Sequence, residues 1–575
     1  MLVKPLWGYF PLILFVSSFF GFIVLFKSWF YRTKQDKYYL QLSLAGGLIL
    51  SLGFPPMPTT PLMLLGFAPW LILEDLISEN GTVIRKATLF KYMYTGFLFW
   101  NILTTFWVTN SAFMAGIVAI TLNSLFMSVP FLLFHITKVK LGKSLGYISF
   151  IVFWLSFEYN HLNWEISWPW LTLGNGLSQY PSLIQWYEYS GVAGGSLLIL
   201  LANLVSFFVW KSWRARKKRL AKTLLVLNLM IWIIPSFLSL NIWSNYKEKG
   251  ISKDFVVIQP NWEPHYEKFE VPEKTQLKRF IDLSHSALDS TVDYLIFPET
   301  SFESVNANSL ESDRNLLWMI RMVNDYPKLN LITGIGSYRV FKSDEERPKA
   351  IREKILSSGD TLFLDYQNAA IQISSHDDTI QFYNKSKLVP GAEFLPYKNL
   401  LFFFKPLVDK LGGTIFGYTA QAERSCFLSN GTNIAPVICY ESVYGEYCTG
   451  YVKEGANAFC IVTNDGWWDD TPGFRQHLKI GALRAIETRK PIARSANTGC
   501  SAFINQRGEI QQPTQYGVQA VIRQKMLCNN IETFYVKYGD LIYKAALIIT
   551  VILLIYLVII LFISKNKVKT HADPH

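Results

Sequence analysis

The strongest constraint on this sequence is a set of nine apolar runs, most of them long enough to cross a lipid bilayer. A hydrocarbon core of roughly 30 Å needs about 20 apolar residues in a helix, because a backbone in lipid must satisfy its own polar groups. Only 17% of the residues are charged, against about 25% in ordinary soluble proteins. A simple soluble globule is therefore excluded. The predicted spans lie near residues 6–26, 39–55, 61–77, 89–109, 112–136, 145–158, 192–210, 223–243 and 542–564, with 145–158 the weakest.

Basic residues fall on alternate loops between these runs. They are concentrated at 27–37, 85–91, 138–143, 211–222 and 565–569, and they are absent from 55–60, 109–111 and 159–191. Loops rich in Lys and Arg stay in the cytoplasm, so the long segment between the last two spans is predicted to be exported. The predicted organisation is a membrane domain of about eight spans at 1–243, an exported domain at 244–541, a transmembrane helix at 542–564 and a cytoplasmic tail at 565–575.

The net charge of +12 belongs to the membrane part of the chain. Residues 246–540 contain 33 basic and 35 acidic side chains, so the exported segment is nearly balanced. A nucleic-acid partner is therefore not indicated, because such a partner requires a basic surface.

The exported segment alternates short apolar runs with polar stretches, which is typical of α/β or α+β layered domains. Two of the polar stretches, 303–325 and 473–489, are predicted to be helical. The predicted strands are FVVIQ (255–259), YLIFP (294–298), LNLITGIG (329–336), AAIQIS (369–374), APVICY (435–440), AFCIVTN (458–464) and PIARSAN (491–497).

Three of the strand-like stretches end on reactive side chains: Glu299, Lys385 and Cys439. A carboxylate, an ammonium and a thiol are the groups needed for covalent acyl transfer, since the thiol needs a base and the tetrahedral oxyanion needs a cation. Taken singly, each residue also has an ordinary structural role. The sequence contains no H-E-x-x-H, G-x-S-x-G, Walker or C-x-x-C motif and no His cluster, so no metal and no cofactor is predicted.

At these residues the sequence resembles the nitrilase superfamily, and more closely its membrane-bound branch, the apolipoprotein N-acyltransferases. The matching segments of the exported part are YNKSKLVPGAEFLP, ICYE and TNDGWW...QHL...RAIETRKPIARSANTG. Those of the membrane part are LGFPP (52–56) and WPWLTLGNGLSQYPSLIQWYEYSGVAGGSLL (168–198). Two departures stand out. The run at 6–26 precedes the family's usual first span, and the family's tryptophan after the first strand is missing, with Trp262 or Phe269 as candidate substitutes.

The resemblance implies a polytopic α-helical membrane domain plus an exported α/β nitrilase-like αββα sandwich. By residue-level comparison, Glu299 would be the general base, Lys385 the oxyanion stabiliser and Cys439 the nucleophile. Glu393, Tyr440 and Glu441 match supporting active-site residues. Trp168 and Trp170, in the stretch free of basic residues, are predicted to form either a substrate vestibule or an aromatic belt at the membrane interface.

The implied reaction moves an acyl chain from a membrane glycerophospholipid, through a Cys439 thioester, to the α-amine of a diacylglyceryl-cysteine at a lipoprotein N-terminus. The resemblance places the enzyme in the bacterial inner membrane with a periplasmic catalytic domain. A membrane-tethered nitrilase-type amidase is the rival enzyme hypothesis, although a tether needs only one span. A transporter is the non-enzymatic rival, and it would require charges buried in mid-span.

All six cysteines lie in the segment predicted to be exported. An even count in an oxidising compartment favours disulfides, but a nucleophile must remain free. We therefore predict between zero and two disulfides, with Cys439 in none of them.

Overall fold

The computed structural model describes residues 7–79, 86–342, 351–355, 361–375, 377–398, 417–429 and 431–570. The chain forms two compact units. The first consists of Met1–Gly8, Asn110–Ala115 and Ile242–Gly539, and the second of Tyr9–Thr109, Gly116–Asn241 and Asp540–His575. We call them the α/β unit and the helical unit.

Among the described residues, ten α-helices precede the first strand, and one long helix follows the last short helix of the α/β unit. They are α1 (Phe10–Leu25), α2 (Lys27–Phe30), α3 (Lys34–Gly53), α4 (Ala68–Glu79), α5 (Lys86–Thr105), α6 (Val108–Ser111), α7 (Phe113–Leu141), α8 (Lys143–Asn163), α9 (Tyr187–Arg214), α10 (Lys218–Asn245) and the C-terminal helix Leu541–Thr570. Every apolar run predicted as a span coincides with one of these helices, and at 61–77 a 3₁₀ turn (Thr60–Leu64) precedes α4.

Five stretches of the described residues are long and apolar enough to cross a membrane. They are Thr60–Glu79, Phe113–Leu141, Tyr187–Arg214, Lys218–Asn245 and Leu541–Ile563. The chain is therefore a multi-pass membrane protein. The four remaining predicted spans stay predictions.

Small residues and large aromatics together pack the helical unit. A Cβ at Gly46 of α3 would lie 2.4 Å from Nε1 of Trp70, and a Cβ at Gly96 of α5 would lie 2.8 Å from the same atom. The two glycines let α3 and α5 close around the fully buried Trp70 indole, which donates to the carbonyl of Ser43 at 2.9 Å. Small residues serve helix contacts in this way because lipid offers no hydrophobic driving force between helices.

Glu74 and Asp75, near the C-terminal end of α4, are buried and paired with basic side chains. Asp75 of α4 lies 3.1 Å from Lys138 of α7 and 2.5 Å from Lys211 of α9, and Glu74 accepts from Lys138 and contacts His135. A buried charge needs such a partner, since an unpaired one would cost several kcal/mol. This arrangement is a structural ion-pair cluster, as expected for a chain with few charges inside its spans.

The described residues of the α/β unit form fourteen strands and six α-helices. The strands are β1 (Ile251–Gln259), β2 (Tyr294–Ile296), β3 (Phe302–Asn306), β4 (Asn330–Phe341), β5 (Arg352–Ile355), β6 (Thr361–Ser374), β7 (Asp377–Asn384), β8 (Phe427–Ser429), β9 (Thr432–Ile438), β10 (Ala458–Thr463), β11 (Ile492–Ala496), β12 (Ala502–Ile504), β13 (Ile510–Gln511) and β14 (Ala520–Cys528). The helices are α11 (Glu267–Glu270), α12 (Glu273–His285), α13 (Arg314–Asn324), α14 (Gly445–Lys453), α15 (Pro472–Thr488) and α16 (Phe534–Tyr538).

The strands form two sheets. The larger has the order β14-β1-β2-β4-β6-β5, with β3 paired to β4 and β7 paired to β6, and the smaller has the order β13-β12-β11-β10-β9-β8. Strands β1, β2 and β4 are parallel neighbours in one sheet, as are β9, β10 and β11 in the other. The sheets meet face to face at β1 and β11, where Ser495 donates to the carbonyl of Ile258 at 2.8 Å.

Helices cover the outer faces of the two sheets. On the larger sheet, α12 and α13 contribute Phe280, Leu316 and Met319 to a core that also contains strand residues such as Leu295 and Leu331. Strands β2, β10 and β11 are buried along their whole length, as expected for parallel strands with both faces covered. The predicted αββα sandwich is confirmed.

The predicted strands are confirmed, and one predicted helix is partly wrong. The stretch 473–489 is helical as α15, but 303–325 begins as strand β3 and becomes helical only at α13. This stretch begins in β3 (FESVN, 302–306), which has only two buried side chains, Phe302 and Val305, and a register shift between them. Because Glu303 and Ser304 are polar and exposed, the sequence of this strand lacked the apolar run by which the other strands were predicted.

Candidate active site

The three predicted site residues follow the carboxyl ends of three strands. Glu299 comes three residues after β2, Lys385 directly after β7, and Cys439 directly after β9. Strands β2 and β7 belong to the larger sheet and β9 to the smaller. The face-to-face sheets therefore bring residues 140 positions apart to one place, as expected for an active site at strand ends.

Two carboxylates hold the Lys385 ammonium. Its Nζ lies 2.8 Å from Oε1 of Glu393 and 3.2 Å from Oε1 of Glu299, and the lysine side chain is 1% exposed. Burial opposes the charge on Lys385. Glu393, Glu299 and the Cys439 thiol outweigh that effect and hold the pKa of Lys385 well above its ordinary value. A fixed buried cation therefore stands beside the thiol.

Asn368 of β6 links the two carboxylates, and sequence reasoning did not single it out. Its Nδ2 donates to Oε1 of Glu299 and to Oε1 of Glu393, at 2.8 Å in each case. The backbone N–H of Val389 donates to the other Glu393 oxygen at 2.7 Å. The only signal for Asn368 in the sequence was a side-chain amide next to the apolar run AAIQIS of a predicted strand. Glu299 and Glu393 are thus held in place by neutral donors as well as by Lys385.

Cys439 occupies a sharp turn between strand and 3₁₀ helix. Its φ is +49°, in the left-handed region that side chains other than glycine rarely adopt,. Such strain persists only where the surrounding structure enforces it, and it is common at functional sites. Burial and the Glu299 carboxylate raise the pKa of the Cys439 thiol, and Lys385 only partly offsets them. The resting thiol is neutral, so a nearby base is required to make the nucleophile.

Glu441 is a fully buried acceptor beneath the turn. Oε1 accepts from the backbone N–H of Ser386 at 2.7 Å and from the hydroxyls of Tyr383 and Tyr447, and Oε2 accepts from the backbone N–H of Ile438 at 2.8 Å. Ser386 directly follows Lys385, and Ile438 directly precedes Cys439. Glu441 therefore ties the two loops that carry these residues, and its carboxylate braces them through backbone amides.

Tyr440, the neighbour of Cys439, is buried, and its ring meets the ring of Tyr444 edge to face at 5.2 Å. Trp168 and Trp170 lie in the helical unit. Trp170 is buried edge to face against Trp107 at 4.9 Å, and the backbone N–H of Trp168 donates to the carbonyl of His161 at 3.3 Å. Their role as vestibule or aromatic belt stays a prediction.

Of the two candidate substitutes for the missing family tryptophan, the structure describes the side chain of Trp262 but not that of Phe269. Trp262 is buried beneath the guanidinium of Arg279, 3.3 Å from the ring centroid. The side chain of Phe269 lies outside the described residues.

A buried polar network behind Cys439 was also missed by sequence reasoning. Asp465 lies 2.5 Å from Arg494 and 2.9 Å from Nδ1 of His477. Nε2 of His477 lies 2.9 Å from the Ser442 hydroxyl and 3.1 Å from the Cys439 carbonyl, and Ser442 also donates to that carbonyl at 2.7 Å. The network fixes the carbonyl of the strained nucleophile position. Asp465, His477 and Arg494 fall within the matched TNDGWW, QHL and PIARSAN segments, which was the available sequence signal.

Because His477 is buried, we expect the stability of the folded protein to depend on pH in the acidic range. Burial and Arg494 lower the pKa of His477 although Asp465 opposes them, so the folded protein keeps the ring neutral where the unfolded chain binds a proton. The free energy of unfolding should therefore fall as the pH drops from about 6.5 toward the lower folded pKa, by at most about 1.4 kcal/mol per pH unit. Thermal unfolding in detergent at pH 7.5 and pH 5.5 measures this loss.

The variant His477→Gln should show a smaller loss between the two pH values than the wild type. His285→Gln, at an exposed helix end, is the matched control and should keep the wild-type loss. An unchanged acid sensitivity in His477→Gln would contradict the prediction.

All six cysteines are free: Cys426, Cys439, Cys448, Cys460, Cys500 and Cys528. This agrees with the prediction of at most two disulfides and a free Cys439. Burial raises the pKa of Cys426, Cys448 and Cys528 to about 12 in each case. These thiols are therefore unreactive at neutral pH.

Two family models match the chain. Residues 46–205 match the model for the apolipoprotein N-acyltransferase N-terminal domain, and residues 257–523 match the carbon-nitrogen hydrolase model. The chain is therefore similar to the apolipoprotein N-acyltransferases in its N-terminal part and to the carbon-nitrogen hydrolases in the part that contains Glu299, Lys385 and Cys439. The family resemblance read from the sequence motifs is confirmed.

Curated relatives match over most of the chain. An apolipoprotein N-acyltransferase from Chlorobaculum tepidum is 25% identical over 520 residues, which is 87% of this chain and 93% of the relative. One from Geobacter metallireducens is 27% identical over 514 residues, 87% of this chain and 91% of the relative.

Solved structures of the carbon-nitrogen hydrolase superfamily also align with the chain. A member from Xanthomonas campestris is 15% identical, with a TM-score of 0.33 over 52% of this chain and 97% of that one. A carbon-nitrogen hydrolase from Helicobacter pylori is 12% identical, with a TM-score of 0.33 over 51% of this chain and 92% of that one.

Proposed function

We propose that this protein transfers an acyl chain from a membrane glycerophospholipid, through a thioester on Cys439, to the α-amine of a lipoprotein's N-terminal diacylglyceryl-cysteine. The observation that carries the proposal is the grouping of a neutral thiol, a buried ammonium and two carboxylates at the strand ends of a carbon-nitrogen hydrolase fold. The relatives named apolipoprotein N-acyltransferase support the same activity.

In the first half-reaction Glu299 takes the proton of the Cys439 thiol while Sγ attacks the ester carbonyl of the phospholipid. The tetrahedral oxyanion that forms is stabilised by the Lys385 ammonium, whose pKa is held high by Glu393 and Glu299,. The C–O bond then breaks, and the leaving alkoxide takes the proton from Glu299. The products are a lysophospholipid and an acyl-Cys439 thioester.

In the second half-reaction the α-amine of the diacylglyceryl-cysteine attacks the thioester. Glu299 accepts a proton from the attacking amine, and Lys385 again stabilises the oxyanion. When the C–S bond breaks, Glu299 gives this proton to the departing Cys439 thiolate. The product is an amide, and the free thiol is regenerated. This ping-pong order needs water to be kept from the thioester, because hydrolysis would waste the acyl group.

The rival assignment, a tethered amidase acting on a small amide, is not favoured. An amidase needs only the carbon-nitrogen hydrolase part, whereas residues 46–205 match the N-terminal domain model of the acyltransferase family. The apolar helices of the helical unit suit an enzyme whose two substrates carry long acyl chains,.

We also propose that the enzyme resides in the bacterial inner membrane with residues 244–541 in the periplasm. A tag inserted in the basic loop 211–222 should then be cytoplasmic, and a tag near residue 420 should be periplasmic, because basic loops resist export. Protease added to cells with permeabilised outer membranes measures this. The residue-420 tag should be cut and the 211–222 tag protected, and the reverse pattern would contradict the orientation.

The decisive test of the function is direct detection of the intermediate. The purified protein in detergent should be incubated with a diacyl phospholipid and digested, and the peptide containing Cys439 weighed by mass spectrometry. A mass increase of one acyl chain that disappears on adding a diacylglyceryl-cysteine peptide, with acylated peptide appearing, is expected. An unmodified Cys439 peptide in a folded preparation would overturn the proposal.

Replacement of the buried ammonium should affect both half-reactions. In Lys385→Met the oxyanion loses its cation, and the loss of one such stabilising group costs about 10²–10³-fold in rate. Single-turnover rates of adduct formation and of adduct consumption by the acceptor peptide measure the two steps separately. Lys525→Met, an exposed position on β14, is the control. Single-turnover rates in Lys385→Met within tenfold of wild type would exclude the assigned role.

A further inference from the structure

Two cations that the proposed mechanism does not use lie side by side near the nucleophile. Lys387 follows Lys385 by two residues, and its Nζ lies 5.0 Å from the ring centroid of Tyr444. The guanidinium carbon of Arg424 lies 4.4 Å from the ring centroid of Tyr447. Tyr444 directly precedes α14 and Tyr447 lies in its first turn, so both rings are near the N-terminus of this helix. We call Lys387 and Arg424 the cation pair.

The cation pair has no acidic partner among the described residues. The nearby carboxylate, Glu441, is already occupied by the hydroxyl and backbone donors described above. Nε of Arg424 is buried and without a hydrogen-bond partner within the described part of the chain. Burial and the neighbouring Arg424 lower the pKa of Lys387, and the Glu441 carboxylate opposes them only in part. Among the described residues, these two adjacent and partly buried positive charges are therefore compensated only in part, and an anion would stabilise both.

The backbone is shaped to hold Arg424 in this place. A Cβ at Gly450 of α14 would lie 3.0 Å from Nε and 3.2 Å from Cδ of Arg424. The glycine thus lets the guanidinium lie against the helix, where the ring of Tyr447 covers it. A guanidinium held in this way presents its remaining N–H groups as a fork suited to phosphate oxygens.

Short contacts connect the cation pair to the nucleophile. The ring of Tyr444, beneath Lys387, packs against the ring of Tyr440, and Tyr440 directly follows Cys439. The backbone N–H of Lys387 donates to Oε1 of Glu441 at 3.3 Å. Within the α/β unit, an anion on the cation pair would lie beside the turn that carries Cys439.

We propose that Lys387 and Arg424 bind the phosphodiester of the acyl donor and so position its ester carbonyl for attack by Cys439. This inference rests on the proposed function, since it assigns a site to the donor of that reaction. The chemistry recognised is a phosphate oxyanion, which both a phospholipid head group and free phosphate carry. The acceptor, a diacylglyceryl-cysteine, has no phosphate. The cation pair therefore acts in the first half-reaction and not in the second.

The test measures the single-turnover rate of acyl-Cys439 formation against donor concentration in detergent micelles. The donors are a diacyl phosphatidylethanolamine and a diacylglycerol with the same chains, which lacks the phosphate. Lys387→Gln and Arg424→Gln should each raise the half-saturating phospholipid concentration about tenfold or more, as expected for loss of a hydrogen bond to a charged group. Neither should alter the rate with diacylglycerol or the acceptor step, and Lys387→Arg should restore most of the affinity.

The control variant is Lys278→Gln, whose exposed ammonium pairs with Asp282 on α12. It should behave as wild type with both donors. A second arm adds inorganic phosphate at constant ionic strength. Phosphate should inhibit the wild type in competition with phospholipid. This inhibition should disappear in the double variant Lys387→Gln/Arg424→Gln, and both results together would support the lipid phosphate site. Variants that keep wild-type use of phospholipid and lose only phosphate inhibition would indicate a free-phosphate site and overturn the proposal.

The remaining outcomes distinguish failure of the proposed acyl-transfer function from failure of the phosphate site on the cation pair. If the wild type forms no adduct with phospholipid, the proposed function fails. If the wild type forms the adduct and the double variant keeps the wild-type half-saturation and preference for phospholipid over diacylglycerol, only the cation-pair inference fails. Equal losses with both donors would show a general structural defect and would also overturn the inference.

Discussion

Cys439→Ala and Cys439→Ser should abolish N-acylation, lowering turnover by at least about 10⁴-fold, as removal of a covalent nucleophile does in other enzymes. The alanine variant has no nucleophile. The serine variant has a poorly acidic hydroxyl in a site where burial and Glu299 already raise the pKa of the thiol, and an oxygen ester is a poorer acyl donor to an amine than a thioester. Acyl transfer to a diacylglyceryl-cysteine peptide, followed by mass spectrometry, measures the loss.

The matched control for the nucleophile is Cys528→Ala, at the end of β14. Cys528 is buried and free, so its replacement should leave the single-turnover rate within about threefold of wild type while lowering stability slightly. Both Cys439 variants should unfold at temperatures close to that of the wild type. Sustained turnover by either Cys439 variant would refute the nucleophile assignment.

Glu299→Gln should slow acyl-Cys439 formation by about 10³-fold at neutral pH, within the range expected for loss of a general base. The amide keeps the size of the side chain, so it retains contact with Lys385 and Asn368, but it accepts no proton. Adduct formation then depends on the small thiolate fraction. Because the thiol pKa is raised, that fraction should grow about tenfold per pH unit through the neutral and mildly alkaline range.

The measurement is the single-turnover rate of adduct formation between pH 6.5 and pH 9. The variant should rise steeply with pH, while the wild type, which carries its own base, should respond less. Glu303→Gln is the control, since Glu303 lies four residues on and its side chain is 42% exposed. A Glu299→Gln profile parallel to that of the wild type would show that Glu299 is not the base.

Much of the fold could be read from the sequence because the relevant signals are local. Long apolar runs can form only helices in lipid, and short apolar runs bounded by polar stretches formed strands β1, β2, β4, β6, β9, β10 and β11,. The wrong prediction of a helix at the residues of β3 also came from reliance on local sequence pattern. The two buried residues of this strand, Phe302 and Val305, are three positions apart, as on one face of a helix, because the pairing with β4 shifts register between them,.

The sequence by itself determined which reactive side chains are available, since Glu299, Lys385 and Cys439 each follow a recognisable strand. Only the tertiary structure decided what surrounds them. Asn368 bridges two carboxylates, Glu441 braces two loops through backbone amides, and His477 holds the carbonyl of a residue with positive φ. These contacts join segments far apart in the chain, and their geometry depends on how two sheets pack face to face, which no local pattern encodes.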